Sequence, residues 1–227
     1  MKERLARINK RIADAAIGCG RIPESVRLVA VSKTVNADRV TQAIDAGAAI
    51  LGENYIQEAR DKFNTLYERS VQWHFIGHLQ SNKAKYAVRM FDLIHSVESF
   101  KLAKALDKEA RKNGKVQDIL IQVNISREET KSGITETDAV ELIEQISGLE
   151  NLRVKGLMTM PPFFDAPEQA RPFFHQLARL RDRIVERNIP GVSMQVLSMG
   201  MTGEFEVAIQ EGATLVRIGT AIFGSRQ

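Results

Sequence analysis

The chain has 227 residues, 44% hydrophobic and 26% charged, with a formal net charge of +4 and one cysteine, Cys19. That composition fits a soluble globular protein able to bury its own core, a lone cysteine excludes an intrachain disulfide and suits a reducing compartment, and a mild, dispersed positive charge gives no reason to expect nucleic acid. No apolar run approaches the roughly 20 residues that cross a bilayer, and Met1-Lys2-Glu3-Arg4 is charged where a secretory signal would be apolar, so the expected compartment is the cytoplasm and no membrane partner is expected.

Leu5, Ile8, Ile12 and Ala15/Ala16 recur at helical spacing, which predicts a surface helix within residues 1–20 docked on the rest. Arg21 to Glu24 reads as a break. Arg27 to Ser32, ending at Lys33, is a β-branched run without helical spacing, the mark of a strand buried on both faces. Asn36 is placed to cap a helix that ends at Gly47. The same grammar repeats: strand signals at Ile50–Gly52, Val71–Ile76, Leu93–Val97, Asp118–Ile125, Val154–Met158, Met194–Leu197 and Thr214–Ile218, with helical patterns between them. The helix after the third strand is expected to open at Gly77 to Asn82, and later ones near 136–147, 167–187 and 203–210. A short last turn starts at Gly219-Thr220.

Strand and helix alternating at this period imply a parallel sheet. Eight such units fit an α/β fold, the (β/α)8 TIM barrel, better than an open doubly wound sheet, which would need a phosphate fingerprint after its first strand. The chain contains no G-x-G-x-x-G and no Walker A pattern. One domain over 1–227, with residues 1–20 as an extra N-terminal helix on the barrel, is therefore expected.

Function in such barrels sits at the C-terminal ends of the strands. Lys33 follows the first strand, Asn54 and Tyr55 the second, His78 the third, Ser198, Met199 and Gly200 the seventh, and Gly219 and Thr220 the eighth. The last two loops fall where barrels of this kind build phosphate sites. Small residues there let the backbone approach an anion. A phosphorylated aldehyde held in that cup would turn its carbonyl toward Lys33, and a desolvated or cation-flanked lysine amine is a nucleophile for imine formation. Arg217 is either that cationic neighbour or part of a salt bridge in the barrel floor. His74 either points into the barrel or is a hydrogen-bonded core histidine. His74 and His78 lie four apart on a strand and its loop, without a Cys or carboxylate cluster, so no metal is expected. Lys131 puts a second lysine after the fifth strand, in a loop expected to be solvated.

Several of these segments together resemble one family. Ala30 to Lys33, Gly52 to Tyr55, Trp73 to Lys83, Gly156 to Met160, Leu197 to Met201 and Arg217 to Gly224 look like the signature of the YggS/PROSC pyridoxal phosphate homeostasis proteins, which are related to the barrel domain of alanine racemase (fold type III). The resemblance runs from about Leu28 to Arg226. It implies pyridoxal 5'-phosphate (PLP) as cofactor, held as a Schiff base on Lys33, with Asn54 near the ring hydroxyl and Arg217 facing the pyridine nitrogen. Ser198, Met199, Gly200, Gly219 and Thr220 would bind the phosphate, and His74 is counted with the cofactor-binding residues. Thr202-Gly203-Glu204 departs from the family's serine and acidic residues after the seventh strand, a change that leaves the phosphate site intact.

Three functions are consistent with this reading. The first is a cofactor binder in PLP homeostasis without strong catalysis, a monomer whose partners are PLP and the apoenzymes that use it. The second is a racemase of low activity. Racemisation needs a second acid/base across the cofactor, and none of Tyr55, Tyr67 and Tyr86 can be assigned to it from the sequence. The third is a cofactor-free Schiff-base aldolase or isomerase, which would be colourless.

Overall fold

The computed structural model describes residues 1–126, 128 and 132–224. Eight parallel strands, β1 (Arg27–Val31), β2 (Ile50–Glu53), β3 (Gln72–Phe75), β4 (Leu93–Val97), β5 (Gln117–Gln122), β6 (Leu152–Met158), β7 (Val192–Ser198) and β8 (Leu215–Ile218), close into a barrel in sequence order. Closure is made by β1 on β8, with Val29 opposite Arg217 and Ala30 opposite Ile218. The chain between strands forms α2 (Ala37–Asp45), α3 (Ile56–Leu66), α4 (Ala84–Met90), α5 (Phe100–Lys112), α6 (Glu136–Ser147), α7 (Arg171–Glu186) and α8 (Phe205–Gln210), preceded by α1 (Lys2–Gly18) and followed by the short α9 (Thr220–Phe223).

Two apolar layers follow from the period-2 alternation of the strands. Val29, Ile50, Leu93, Leu120, Met158 and Leu215 point inward and fill the barrel, as a separate cluster from the larger ring of apolar side chains between sheet and helices. The helices begin where polar caps satisfy their first N–H groups. Asn36 accepts from the N–H of Arg39 at 3.0 Å, and Ser99 and Thr135 cap α5 and α6 in the same way. Leu5, Ile8, Ile12 and Ala16 bury one face of α1, while Arg11 on α1 reaches Glu206 of α8 and stacks over Phe205.

Most predicted strand boundaries fall within about two residues of the structure, and two departures have an identifiable cause. The fifth strand stops at Gln122: the Val123 N–H still donates to the Met158 carbonyl of β6, but Val123 also bridges to Ile134 and the Asn124 N–H donates to the Ile134 carbonyl, which draws the chain away from the barrel. The segment after β3 delays its helix until a 3-10 turn at Ser81–Lys83. Gly77 causes the delay: a Cβ on it would lie 2.2 Å from the carbonyl oxygen of Asn54, so only glycine lets this loop press against the end of β2.

Candidate functional site

The loop after β1 is tied down on both sides of Lys33, itself half-buried. Ser32, fully buried, donates through Oγ to Glu53 Oε1 (2.6 Å), and its N–H donates to the carbonyl of Gly52 (2.9 Å). Lys62, a buried lysine of α3, donates through Nζ to the Ser32 carbonyl (2.5 Å) and to Glu53 Oε1 (2.7 Å). Burial pushes the Glu53 carboxyl up, against the opposing pull of Lys62 and Ser32. On the far side, Thr34 holds a left-handed backbone (φ 62°), and its N–H donates to Glu58 Oε2 at 2.8 Å.

Opposite stand the loops after β7 and β8. Gly200 has φ +90°, and its carbonyl accepts from the N–H of Arg217 at 2.9 Å. Thr202 and Thr220 bring the two loops together, their hydroxyl oxygens 3.4 Å apart. Gly219 lies against β1: a Cβ there would sit 3.2 Å from the Val31 carbonyl, two residues before Lys33. The lysine loop and the two glycine loops therefore share one mouth. At the same end, Asn54 Oδ1 is buried without a hydrogen-bond partner among the described residues. Glu204 folds back to accept from the N–H of Met201 at 3.0 Å, its carboxyl pushed up by burial and drawn down by that N–H and by Arg217.

Beneath the mouth a polar chain runs down the barrel interior. Arg217 donates through Nη1 to Ser198 Oγ (2.7 Å) and through Nη2 to the Thr159 carbonyl (2.9 Å). Ser198 Oγ lies 2.9 Å from His95 Nδ1, and His95 Nε2 lies 3.0 Å from His74 Nδ1. A guanidinium only donates, so Ser198 accepts from Arg217, and its own hydrogen, fully buried, goes to His95 Nδ1. His95 then carries its proton on Nε2 and donates to His74 Nδ1, leaving the His74 proton on Nε2. Both rings are neutral. Burial, with a smaller push from Arg27, lowers His74 to about 3, and burial with the neighbouring His74 and Arg217 lowers His95 well below its ordinary value. Burial also draws Arg217 down to about 10, partly offset by Glu204, so it stays a cation at neutral pH.

The structure thus brings Lys33, Asn54, Gly200, Gly219 and Thr220 to one end of the barrel, with Arg217 and Ser198 directly below. The hydrogen bonds of Ser198 run inward, and the N–H of Met199 is taken by the Leu215 carbonyl while its side chain is buried. Met199 therefore shapes the loop and has no N–H to offer. His74 is set apart from the other sequence-predicted residues. It does point into the barrel and is hydrogen-bonded there, but it lines a cavity of about 320 Å³ at the opposite end, together with Arg27 and Asp118. His78 is at the surface, 3.3 Å from Glu98. Lys131 lies outside the described residues.

Three contributors escaped the sequence reading. His95 is an inward position of a strand buried throughout, and a histidine in such a run is itself a signal. Lys62 occupies the apolar stripe of α3 with Ala59 and Leu66, where a lysine calls for a buried partner. Glu58 sits one turn before it and offered no signal.

Comparison with known proteins agrees with the barrel fold. Residues 7–227 match the family model "Alanine racemase, N-terminal domain". A pyridoxal phosphate homeostasis protein of Aquifex aeolicus (strain VF5) is 44% identical over 225 residues, covering 99% of this chain and 98% of that protein. The chain belongs to the pyridoxal phosphate homeostasis protein family. Among solved structures, PipY of Synechococcus elongatus PCC7942 with PLP bound superposes with a TM-score of 0.86 at 34% identity, covering 98% of this chain and 99% of that one. Alanine racemase of Clostridium difficile 630 shares the fold, with a TM-score of 0.72 at 14% identity, and this chain spans 56% of its length.

Proposed function

We propose that this protein binds PLP as a Schiff base on Lys33 and serves PLP homeostasis, holding the cofactor and releasing it to apoenzymes rather than catalysing strongly. One observation carries the reading: the loop bearing Lys33 and the glycine loops after β7 and β8 meet at a single mouth, with Gly219 packed on β1. PipY, solved with PLP bound, supports it, as do the names of the full-length relatives.

The residues present fit the group. Asn54 Oδ1, without a partner among the described residues, is a buried acceptor suited to a donor such as a ring hydroxyl. Gly200, Thr202, Gly219 and Thr220 form a small-residue cradle that lets backbone and hydroxyl donors approach a phosphate. When bound, PLP supplies an aldehyde for an amine and a ring able to withdraw electrons. Arg217, whose guanidinium has five donors and spends two on Ser198 and Thr159, keeps N–H groups for the pyridine nitrogen. A donor there leaves that nitrogen unprotonated and the ring a weak electron sink, consistent with a carrier. Lys33, rooted between Ser32 and Thr34, supplies the amine.

The test is the visible spectrum of the untreated protein beside that of Lys33→Ala. The wild type should be yellow. The variant should lose the imine absorbance while retaining weak binding through the phosphate cradle. An unchanged spectrum in the variant would remove Lys33 from the account, and racemisation of alanine or serine well above the rate of free PLP would overturn the carrier role.

A further inference from the structure

We infer that Glu58 and Lys62 of α3 are positioning residues that set the root of Lys33, an inference that rests on Lys33 being the imine-forming amine. The two side chains stand one turn apart on the same helix face. They grip the peptides on either side of the lysine: Lys62 Nζ the Ser32 carbonyl at 2.5 Å, Glu58 Oε2 the Thr34 N–H at 2.8 Å. Glu53 completes the grip by taking both the Ser32 hydroxyl and the Lys62 ammonium on one oxygen.

Three physical points give this grip a role beyond holding the fold. Thr34 is β-branched and left-handed (φ 62°), a conformation that persists only when its surroundings impose it. Two contacts hold it there: the Val35 N–H closes a turn onto the Ser32 carbonyl at 3.1 Å, and the Glu58 carboxylate accepts from the Thr34 N–H. A buried ion pair such as Lys62–Glu53 is a poor stabiliser compared with apolar packing, yet the Lys62 ammonium is also spent on the carbonyl that precedes Lys33. Finally, a lysine amine ends a flexible four-carbon stem, so fixing the backbone at its root narrows the volume the amine samples and raises its effective concentration at the bound aldehyde. Releasing either side leaves the cradle intact and slows imine formation at Lys33.

The experiment measures, on the full chain with added PLP, the rate at which borohydride-trappable label forms on Lys33, alongside thermal stability and total PLP bound. Glu58 is half-buried and its carboxylate reaches out from the helix, so Glu58→Ala should fold with the wild-type Tm and trap label on Lys33 roughly tenfold more slowly. Glu58→Gln, which keeps an acceptor oxygen for the Thr34 N–H, should restore the rate. Thr34→Gly, added to Glu58→Ala, should recover part of it, because glycine adopts the left-handed conformation without help. The double variant Glu53→Gln/Lys62→Met, which removes both buried charges together, should also trap slowly; if it does not fold, the Glu58 pair decides alone. Wild-type trapping rates in Glu58→Ala would overturn the positioning role. A wild type that traps no label on Lys33 would instead overturn the reading of Lys33 itself, whatever the variants do.

Discussion

Gly200 and Gly203 lie three residues apart in the loop after β7, and the structure assigns them opposite sensitivities. At Gly200 a Cβ would stand 2.6 Å from the Ala208 Cβ and 3.0 Å from the Phe205 Cα, on a backbone with φ +90°. The left-handed conformation costs a non-glycine residue about 1–2 kcal/mol, and forcing a methyl into a packed site adds about 1–3 kcal/mol. Gly200→Ala should therefore lose about 3 kcal/mol, which for a chain of this size lowers Tm by about 10 °C. At Gly203 nothing among the described residues lies within 4 Å of the added Cβ and φ is not positive, so Gly203→Ala should leave Tm within about 2 °C of wild type. Relief of the clash would push Gly200 away from α8 and loosen its carbonyl from the Arg217 N–H, so PLP affinity should fall about tenfold or more in Gly200→Ala alone. Thermal unfolding followed by circular dichroism, with PLP titrated into each variant, checks both halves. Equal Tm values for the two variants, or wild-type affinity in Gly200→Ala, would refute the assignment of a close-packed, left-handed corner to Gly200.

Other outcomes follow from the interior chain and the cradle. His74 titrates near 3 when folded and near 6.5 when unfolded, so the unfolded chain takes up the extra proton as pH falls below about 6.5, and stability is lost on the way down to pH 3. Urea unfolding should show His74→Asn with a shallower decline between pH 6.5 and 4, by up to about 1.4 kcal/mol per pH unit; parallel curves would mean that His74 is not buried neutral. Nitrogen-15 spectra at neutral pH should show both His95 and His74 with the proton on Nε2, and an Nδ1–H on His95 would reverse the direction assigned to the chain from Arg217. Arg217→Glu should offer the pyridine nitrogen an anionic partner and protonate it, moving the ring-sensitive absorbance; unmoved spectra would place Arg217 away from the ring.

The barrel was legible because its determinants are local. The run Leu28–Val31 is aliphatic at every position and Leu93–Val97 is aliphatic except at His95 and Ser96, and the intervening segments carry a 3.6-residue stripe, so strand order in a closed parallel sheet follows from sequence order. Lys33, Gly200 and Gly219 were legible for the same reason, since the fold itself says which strand ends form the mouth. What could not be read is tertiary. Whether His74 faces the mouth or the base depends on how far along β3 the inward positions fall, and the structure puts it low, one histidine below Ser198. Nothing local tells that Lys62 and Glu58 reach from α3 to the loop after β1, because that contact depends on how α3 lies across the sheet. The delayed start of α4 turns on Gly77 meeting Asn54, two residues brought together only by β2 pairing with β3.

The central claim is that one amine, at the end of β1, captures the aldehyde of PLP. Incubating the full chain with PLP, reducing with borohydride and mapping the peptides tests it most directly. A single pyridoxyl-labelled peptide containing Lys33 is the predicted result. Label scattered over surface lysines, or gathered on any lysine other than Lys33, would contradict it.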